Sequence, residues 1–496
     1  MTYSQPHQTD RCDRASYASG VMSEPHETIR ESGKSKPMND TEANASSDAD
    51  FLEDFHHVAT IGATDNAGVD RQAATVDDAR TRDWMRGWAE AHGFEVRIDA
   101  IGNMFACYEF VPGSPYVLLG SHLDSQPLGG RFDGAYGVIA ALHAALRVRE
   151  SIAESGQVPQ FNMAVVNWFN EEGGRFAPSI MGSSVYAGLF DLDAMLAVRD
   201  LAGVSVAEAL AAIGYAGTDT PPDAISYAEI HIEQGRILER EATDIGVVES
   251  SWYTQKLDID VLGEQSHTGA TAMADRHDAL VAAAKVVLAV AGVVDEFDDE
   301  ALVSSVGQHV VEPNSPIVVP RRVHMVADLR SSDPAIVQCA RDSLHAQITE
   351  IAKDHDITID VEDFDIRDKR YFPETGVELV EKAVANEGLS VRRLETMAGH
   401  DSVAMNHRVP AVMMFVPSVD GVSHCEREFT RDADMVRGLG VLTSVAEDLV
   451  RGELSEDRDG AVWIGRSTAT AQTPVPIPAA DSRSGGDLQT TAEAGA

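Results

Sequence analysis

The stretch Val117-Leu-Leu-Gly-Ser-His-Leu-Asp124 decides how this chain is read. Val117–Leu119 is a short apolar run, the mark of a buried strand. A small-residue turn follows, then His122 and Asp124 two residues apart. An imidazole at a strand end is placed to bind a metal, and a carboxylate two residues on can hold its other ring nitrogen. Nine residues after Asp124 comes Asp133, in Gly129-Gly-Arg-Phe-Asp-Gly134. A strand predicted over 161–169 then runs into Asn170-Glu-Glu-Gly-Gly-Arg-Phe176. Three strand or loop ends thus carry His, Asp and a Glu-Glu pair, the composition of a two-metal hydrolytic site.

Taken singly, each has an ordinary explanation: His122 as a satisfied polar residue, Asp133 as a helix N-cap beside Gly134, Glu171-Glu172 as a solvated turn. Their order and strand-end placement argue against coincidence. His231 ends the predicted strand 228–232, and His424 follows the predicted strand 411–416. Both precede sheet-edge loops, where α/β proteins put ligand sites.

Working outward, strands and helices alternate. Helices are predicted over 51–61, 77–92 and 134–150, between strands at 117–119, 161–169 and 228–232. This order predicts an α/β catalytic domain with a mainly parallel central sheet. The pattern changes after Ser251. Leu257, Ile259 and Val261 alternate with Lys256, Asp258 and Asp260, the signature of a half-exposed strand. A helix over 273–293, strands over 301–310 and 322–329, a helix from Pro334 capped by Asp333, and a strand over 357–364 follow. This strand–helix–strand–strand–helix–strand block predicts an inserted α+β ferredoxin-like domain. Helix 376–386, strand 411–416 and helix 432–451 return to the first domain. The expected organisation is a disordered acidic leader over 1–49, catalytic parts over 50–252 and 368–455, a dimerisation or lid insert over 253–367, and a disordered tail over 456–496.

The chain has 496 residues, 80 acidic against 39 basic, for a net charge of −41. Only 7 of those 39 basic residues are lysine. An acidic surface with little lysine points to a protein adapted to high salt, of haloarchaeal type, where screening removes self-repulsion. It argues against nucleic-acid or anionic-membrane partners. The four cysteines (Cys12, Cys107, Cys339, Cys425) show no paired spacing, as expected in a reducing cytoplasm. No apolar run reaches the ~18–20 residues of a membrane span, and the N-terminus has no signal-peptide pattern.

Further blocks complete the picture: Gly182-Ser183, His231-Ile-Glu-Gln-Gly235, Ser266-His-Thr-Gly269, Val311-Glu-Pro-Asn314, Asp328-Leu-Arg330, Gly399-His-Asp401 and Ser423-His424. In this order, across roughly 50–450, the chain resembles the M20 zinc-peptidase-like amidohydrolases of the N-carbamoyl-L-amino-acid hydrolase, β-ureidopropionase and allantoate amidohydrolase group. The resemblance implies two divalent metal ions per subunit, zinc first, with manganese, cobalt or nickel as alternatives. His122 and His231 would bind one, Glu172 and His424 the other, and Asp133 would bridge them. Asp124 would orient His122. Glu171 would be the general base toward a metal-activated water. His267 would reach into the neighbouring subunit's site to stabilise the oxyanion, so a homodimer through the insert is implied. Arg330 would grip the substrate carboxylate, and Asn314 and Gln234 would hydrogen-bond the substrate.

Two loops depart from the family's usual pattern, His267-Thr-Gly-Ala-Thr-Ala-Met273 and Pro316-Ile-Val-Val-Pro-Arg321; neither touches an expected metal ligand. The expected reaction is hydrolysis of the ureido C–N bond of an N-carbamoyl-L-amino acid. Allantoate amidohydrolase is the alternative, followed by an aminoacylase or peptidase. A non-catalytic binding protein on a degenerate scaffold would require at least one ligand to be missing or displaced.

Overall fold

The computed structural model describes residues 46–455. The predicted tail lies outside them, as does the predicted leader up to residue 45. The leader's last residues are part of the fold: Ser47 caps the helix Asp48–Val58 in a reciprocal capping box with Asp50.

An eight-stranded sheet forms the catalytic part. Its strands run, edge to edge, Glu95–Ile98, Met104–Tyr108, Asn162–Trp168, Tyr116–His122, Ala224–Ile232, Ala411–Val416, Ile245–Ser251 and Val391–Thr396. The four middle strands, from Asn162–Trp168 to Ala411–Val416, are mutually parallel. They are buried along their whole length but for Ile225, which is why they read as continuous apolar runs. Helix Ala135–Ser155 packs across this sheet with every residue of 135–146 buried, and helix Asp432–Val450 packs beside it. Parallel strands bring their carboxyl ends to one edge, and four such ends deliver the segments carrying His122, Glu171-Glu172, His231 and His424.

The segment 253–367 forms its own antiparallel sheet, ordered Thr358–Arg367, Tyr253–Leu262, Arg322–Ser331, Val303–Glu312. One face packs on helices Ala279–Gly292 and Pro334–His355 through Leu257, Ile259, Val261, Met325 and Leu329. The first helix begins at Ala279 rather than at Met273, because the Asp278 carboxylate accepts the N–H groups of Leu280 and Val281. Residues 273–275 form a separate 3-10 turn. The second starts as predicted, with Asp333 accepting from Ala335 N and Pro334 in the first turn. No described helix is long and apolar enough to cross a membrane.

Candidate metal centre

The expected metal ligands converge. His122, Asp133 and His231 form one set of donor atoms within 4.8 Å of one another, and Asp133, Glu172 and His424 form a second. Asp133 is common to both. Its Oδ1 lies 2.9 Å from His231 Nε2 and 3.5 Å from His122 Nε2, and its Oδ2 lies 3.3 Å from His424 Nε2. Glu172 Oε2 is 3.4 Å from His424 Nε2. All but His424, whose ring is half exposed at the mouth, are buried at these atoms.

Local structure explains the aim of each side chain. His231 Nδ1 donates to its neighbour's carbonyl, Ile232 O, at 2.9 Å. Its Nε2 accepts from Gly134 N at 3.0 Å and lies 2.9 Å from Asp133 Oδ1, so these contacts fix the ring against the bridging position. Gly134 sits at φ +64, and a Cβ there would meet the His122 ring at 2.3 Å. Only glycine lets the chain turn into its helix against that imidazole. Asn170, Gln234 and His424 also adopt left-handed backbone angles, at φ +51, +57 and +55. Such angles cluster where a site dictates the backbone.

Asp124 has a wider role than the orientation of His122. The contact to His122 Nδ1 at 3.0 Å is made by its main-chain carbonyl, while its carboxylate is 3.7 Å away. That carboxylate instead accepts the N–H groups of Glu171 at 3.2 Å and Glu172 at 3.3 Å. It thereby ties the Glu-Glu turn to the His122 strand. Among the described residues the Glu171 side chain has no hydrogen-bond partner, and it stands 3.5 Å from His122 Nε2.

Electrostatically the centre is acidic and buried. Burial is the largest influence on Asp133, but His122, His231 and His424 outweigh it and hold the carboxyl well below its usual range. Burial, reinforced by Asp401, Glu172 and Asp133, pushes Glu171 well above the carboxylate range. Burial raises Glu172 too, with Asp133 adding to it. Burial would lower His424, yet Glu172 and Asp133 raise it to about 10. Four buried carboxylates, Asp124, Asp133, Glu171 and Glu172, thus share one patch. Divalent cations fit that charge deficit, and the mixed imidazole and carboxylate donors fit such ions.

Several supporting residues were not anticipated. Glu428 Oε1 accepts the N–H groups of Phe132 and Asp133, both at 3.0 Å, and its Oε2 accepts from Ser423. Gln126 donates its main-chain and side-chain N–H groups to Glu172. His400 stacks edge-on against His231 at 4.7 Å, buried, with no partner at Nε2. His400 stood within the quoted block Gly399-His-Asp401, and Glu428 four residues beyond Ser423-His424. Only the third dimension shows what they touch.

A cavity of about 280 Å³ opens over the centre, its walls including Glu171, Gln234 and Arg330. Gln234 Nε2 is turned onto Asp133 Oδ2 at 2.8 Å and onto Ser423 at 3.1 Å, and its Oε1 is buried without a partner. Arg330 is held bidentately by Asp328. Within the chain, His267 and Asn314 do not line this cavity. Both are exposed, in neighbouring loops joined by the pairing of Ser266–His267 with Val318–Val319.

Residues 118–448 match peptidase family M20/M25/M40. The chain belongs to that family. An N-carbamoyl-L-amino-acid amidohydrolase of Rhizobium meliloti is 35% identical over 384 residues, covering 77% of this chain and 91% of that protein. An allantoate amidohydrolase of Bacillus subtilis is 30% identical over 409 residues, covering 80% and 95%. A solved amidase of the hydantoinase/carbamoylase family from Burkholderia vietnamiensis is 36% identical, with a TM-score of 0.78, over 83% of this chain and 98% of that one. The fold, the family and the donor sets together make this chain a hydrolase of the amidohydrolase type, acting on C–N bonds with divalent metal.

Proposed function

We propose that the chain hydrolyses the ureido C–N bond of N-carbamoyl-L-amino acids. The observation that carries this is the pairing of an acidic metal centre with Arg330 on the same cavity. One end suits a polar carbonyl carbon, the other a carboxylate. Related proteins bearing the N-carbamoyl-L-amino-acid amidohydrolase name support this choice. Allantoate, also a ureido acid, is the second reading, supported by the allantoate amidohydrolases among the relatives.

His122 and His231 would hold one ion, Glu172 and His424 another, with Asp133 between them; zinc, manganese, cobalt or nickel suits these donors. Bound there, the ions would supply Lewis acidity toward the ureido oxygen and toward water. Glu171, buried and without a hydrogen-bond partner among the described residues, takes the proton from the attacking water. It then passes that proton to the amino-acid nitrogen as the C–N bond breaks. The carbamate released falls to ammonia and carbon dioxide. Arg330 pairs with the α-carboxylate, and Gln234 and Asn314 hydrogen-bond the substrate. His267 of the partner subunit donates to the oxygen on which charge develops. Its exposure, and that of Asn314, supports action across a homodimer built on the insert. The acidic, lysine-poor surface is read as an adaptation to salt; the relatives named above are bacterial and give no support to a haloarchaeal source. The enzyme would work in the cytoplasm.

The test is ammonia release by the metal-loaded protein in molar KCl, with N-carbamoyl-L-amino acids, allantoate and N-acetyl-amino acids compared (free amine is followed for the last). Turnover confined to the carbamoyl set supports the proposal. Preference for allantoate moves the chain to the second reading, and preference for acetyl substrates removes both.

A further inference from the structure

The reaction above uses only Arg330 from one wall of the cavity. That wall is the helix-free face of the inserted sheet, at the end nearest the metal centre. In register, Lys256 stands opposite Asp328, and Thr254 stands opposite Arg330. All four side chains share one face, which makes Lys256 and Arg330 diagonal neighbours, about 7–8 Å apart.

Three cations and two carboxylates make up this wall. Arg330 has a carboxylate of its own: Nε and Nη2 donate to Asp328 at 2.9 and 2.8 Å, and Nη1 donates to Met397 O at 3.0 Å, which leaves one N–H on each Nη for the α-carboxylate. Lys256 and Arg367 instead share a single buried carboxylate, Asp365. Lys256 Nζ donates to it at 2.6 Å, and Arg367 Nε and Nη2 donate at 2.8 and 2.9 Å. Arg367 is further anchored on Ser179 Oγ at 3.0 Å. Two cations on one carboxylate leave one positive charge uncompensated, and both side chains line the cavity. Among the described residues Asp365 is the only hydrogen-bond partner of Lys256 Nζ, so donors remain to be used. If Lys256 swings toward a ligand, Arg367 still neutralises Asp365 bidentately. Lysine is scarce in this chain, and the one placed here is a compact charge on a flexible stem.

We propose that Lys256, backed by Arg367 and Asp365, is a second anion subsite beside Arg330. The preferred substrate then carries an acidic side chain as well as its α-carboxylate, that is, a ureido derivative of a dicarboxylic amino acid. This rests on the ureido-acid reading of the cavity.

Two measurements on the zinc-loaded full chain, at one fixed salt concentration, separate the subsite from the reaction. The first is calorimetric binding of glutarate and of butyrate to the wild type and to Lys256→Met and Lys256→Arg. We expect glutarate to bind at least tenfold more tightly than butyrate, Lys256→Met to erase the difference, and Lys256→Arg to keep most of it. The second is kcat/KM for N-carbamoyl-L-glutamate and N-carbamoyl-L-norvaline. Lys256→Met should lower the first at least tenfold, mainly through KM, and the second less than twofold. Equal binding of glutarate and butyrate, or equal losses on both substrates, overturns the subsite. Turnover of ureido acids with neither acidic preference nor dependence on Lys256 overturns it while leaving the reaction standing. Lys256-dependent glutarate binding without turnover of any ureido acid keeps the subsite and removes the reaction.

Discussion

Replacing Glu171 with glutamine isolates the proton-transfer step from everything else in the centre. The side chain is buried, has no hydrogen-bond partner among the described residues, and stands 3.5 Å from His122 Nε2. Glutamine has the same shape, so packing is kept and no hydrogen bond of the fold is lost. Both donor sets exclude Glu171, so metal content should not change. What disappears is a proton acceptor, and general-base catalysis contributes about 10²–10⁴-fold. At about 1.36 kcal/mol per tenfold, that is about 3–5.5 kcal/mol of barrier. The expected result for Glu171→Gln is therefore a kcat for ammonia release lowered by about 10²–10⁴, with bound metal and thermal midpoint close to wild type. Atomic-absorption metal analysis, a melting curve and the ammonia assay on one preparation check all three. Turnover within a few-fold of wild type would remove Glu171 from the base role. Loss of metal together with activity would refute the donor assignment instead.

Three further outcomes follow from particular contacts. Glu428→Gln weakens the acceptor that holds the Phe132 and Asp133 N–H groups, and should cost about 10–100-fold in metal affinity, read by competition with a chromophoric chelator. His324 is raised above its ordinary value by the Asp258 hydrogen bond at 3.0 Å, with burial opposing. A raised folded-state histidine stabilises fully below its unfolded value and loses that contribution as pH climbs through the folded one. Asp258→Asn should then destabilise the protein more at pH 6 than at pH 9 in urea titrations, by about 1 kcal/mol or less; an equal cost at both pH values would contradict the pairing. Finally, mixing Glu171→Gln with His267→Ala chains and allowing exchange should restore about a quarter of wild-type activity, since half the dimers are mixed and each has one intact site. No recovery, with exchange shown by mass, would place His267 outside the partner's site.

How much of this was legible beforehand differs from element to element. The parallel core strands announced themselves because burial on both faces requires apolar runs, and the insert did so because one solvated face imposes alternation. Four strands of the large sheet were not foreseen. Strands 95–98 and 391–396 are sheet edges, the first reading Glu-Val-Arg-Ile and the second carrying Arg392, Arg393 and Glu395, with little apolar pattern to detect. Strands 104–108 and 245–251 are largely buried, and were missed although they carry apolar residues. The centre's donor residues were legible because His, Asp and Glu-Glu fell at strand ends. The supports were not: Glu428 lies 295 residues from Asp133 along the chain, and only folding brings its carboxylate under that peptide. Lys256 looked like one polar member of an alternating strand. Its meaning depends on Arg367 and Asp365 from another strand sharing the same face.

The central proposal is that two divalent ions, which Asp133 would share between the two donor sets, serve hydrolysis of a ureido acid. Chelator-stripped protein should be titrated with zinc or manganese while ammonia release from N-carbamoyl-L-amino acids is followed. The account predicts no activity without metal and a rise that levels at two equivalents per chain, with Asp133→Asn abolishing both the rise and tight binding. Ammonia release that survives complete metal removal, or that is indifferent to Asp133→Asn, would contradict it.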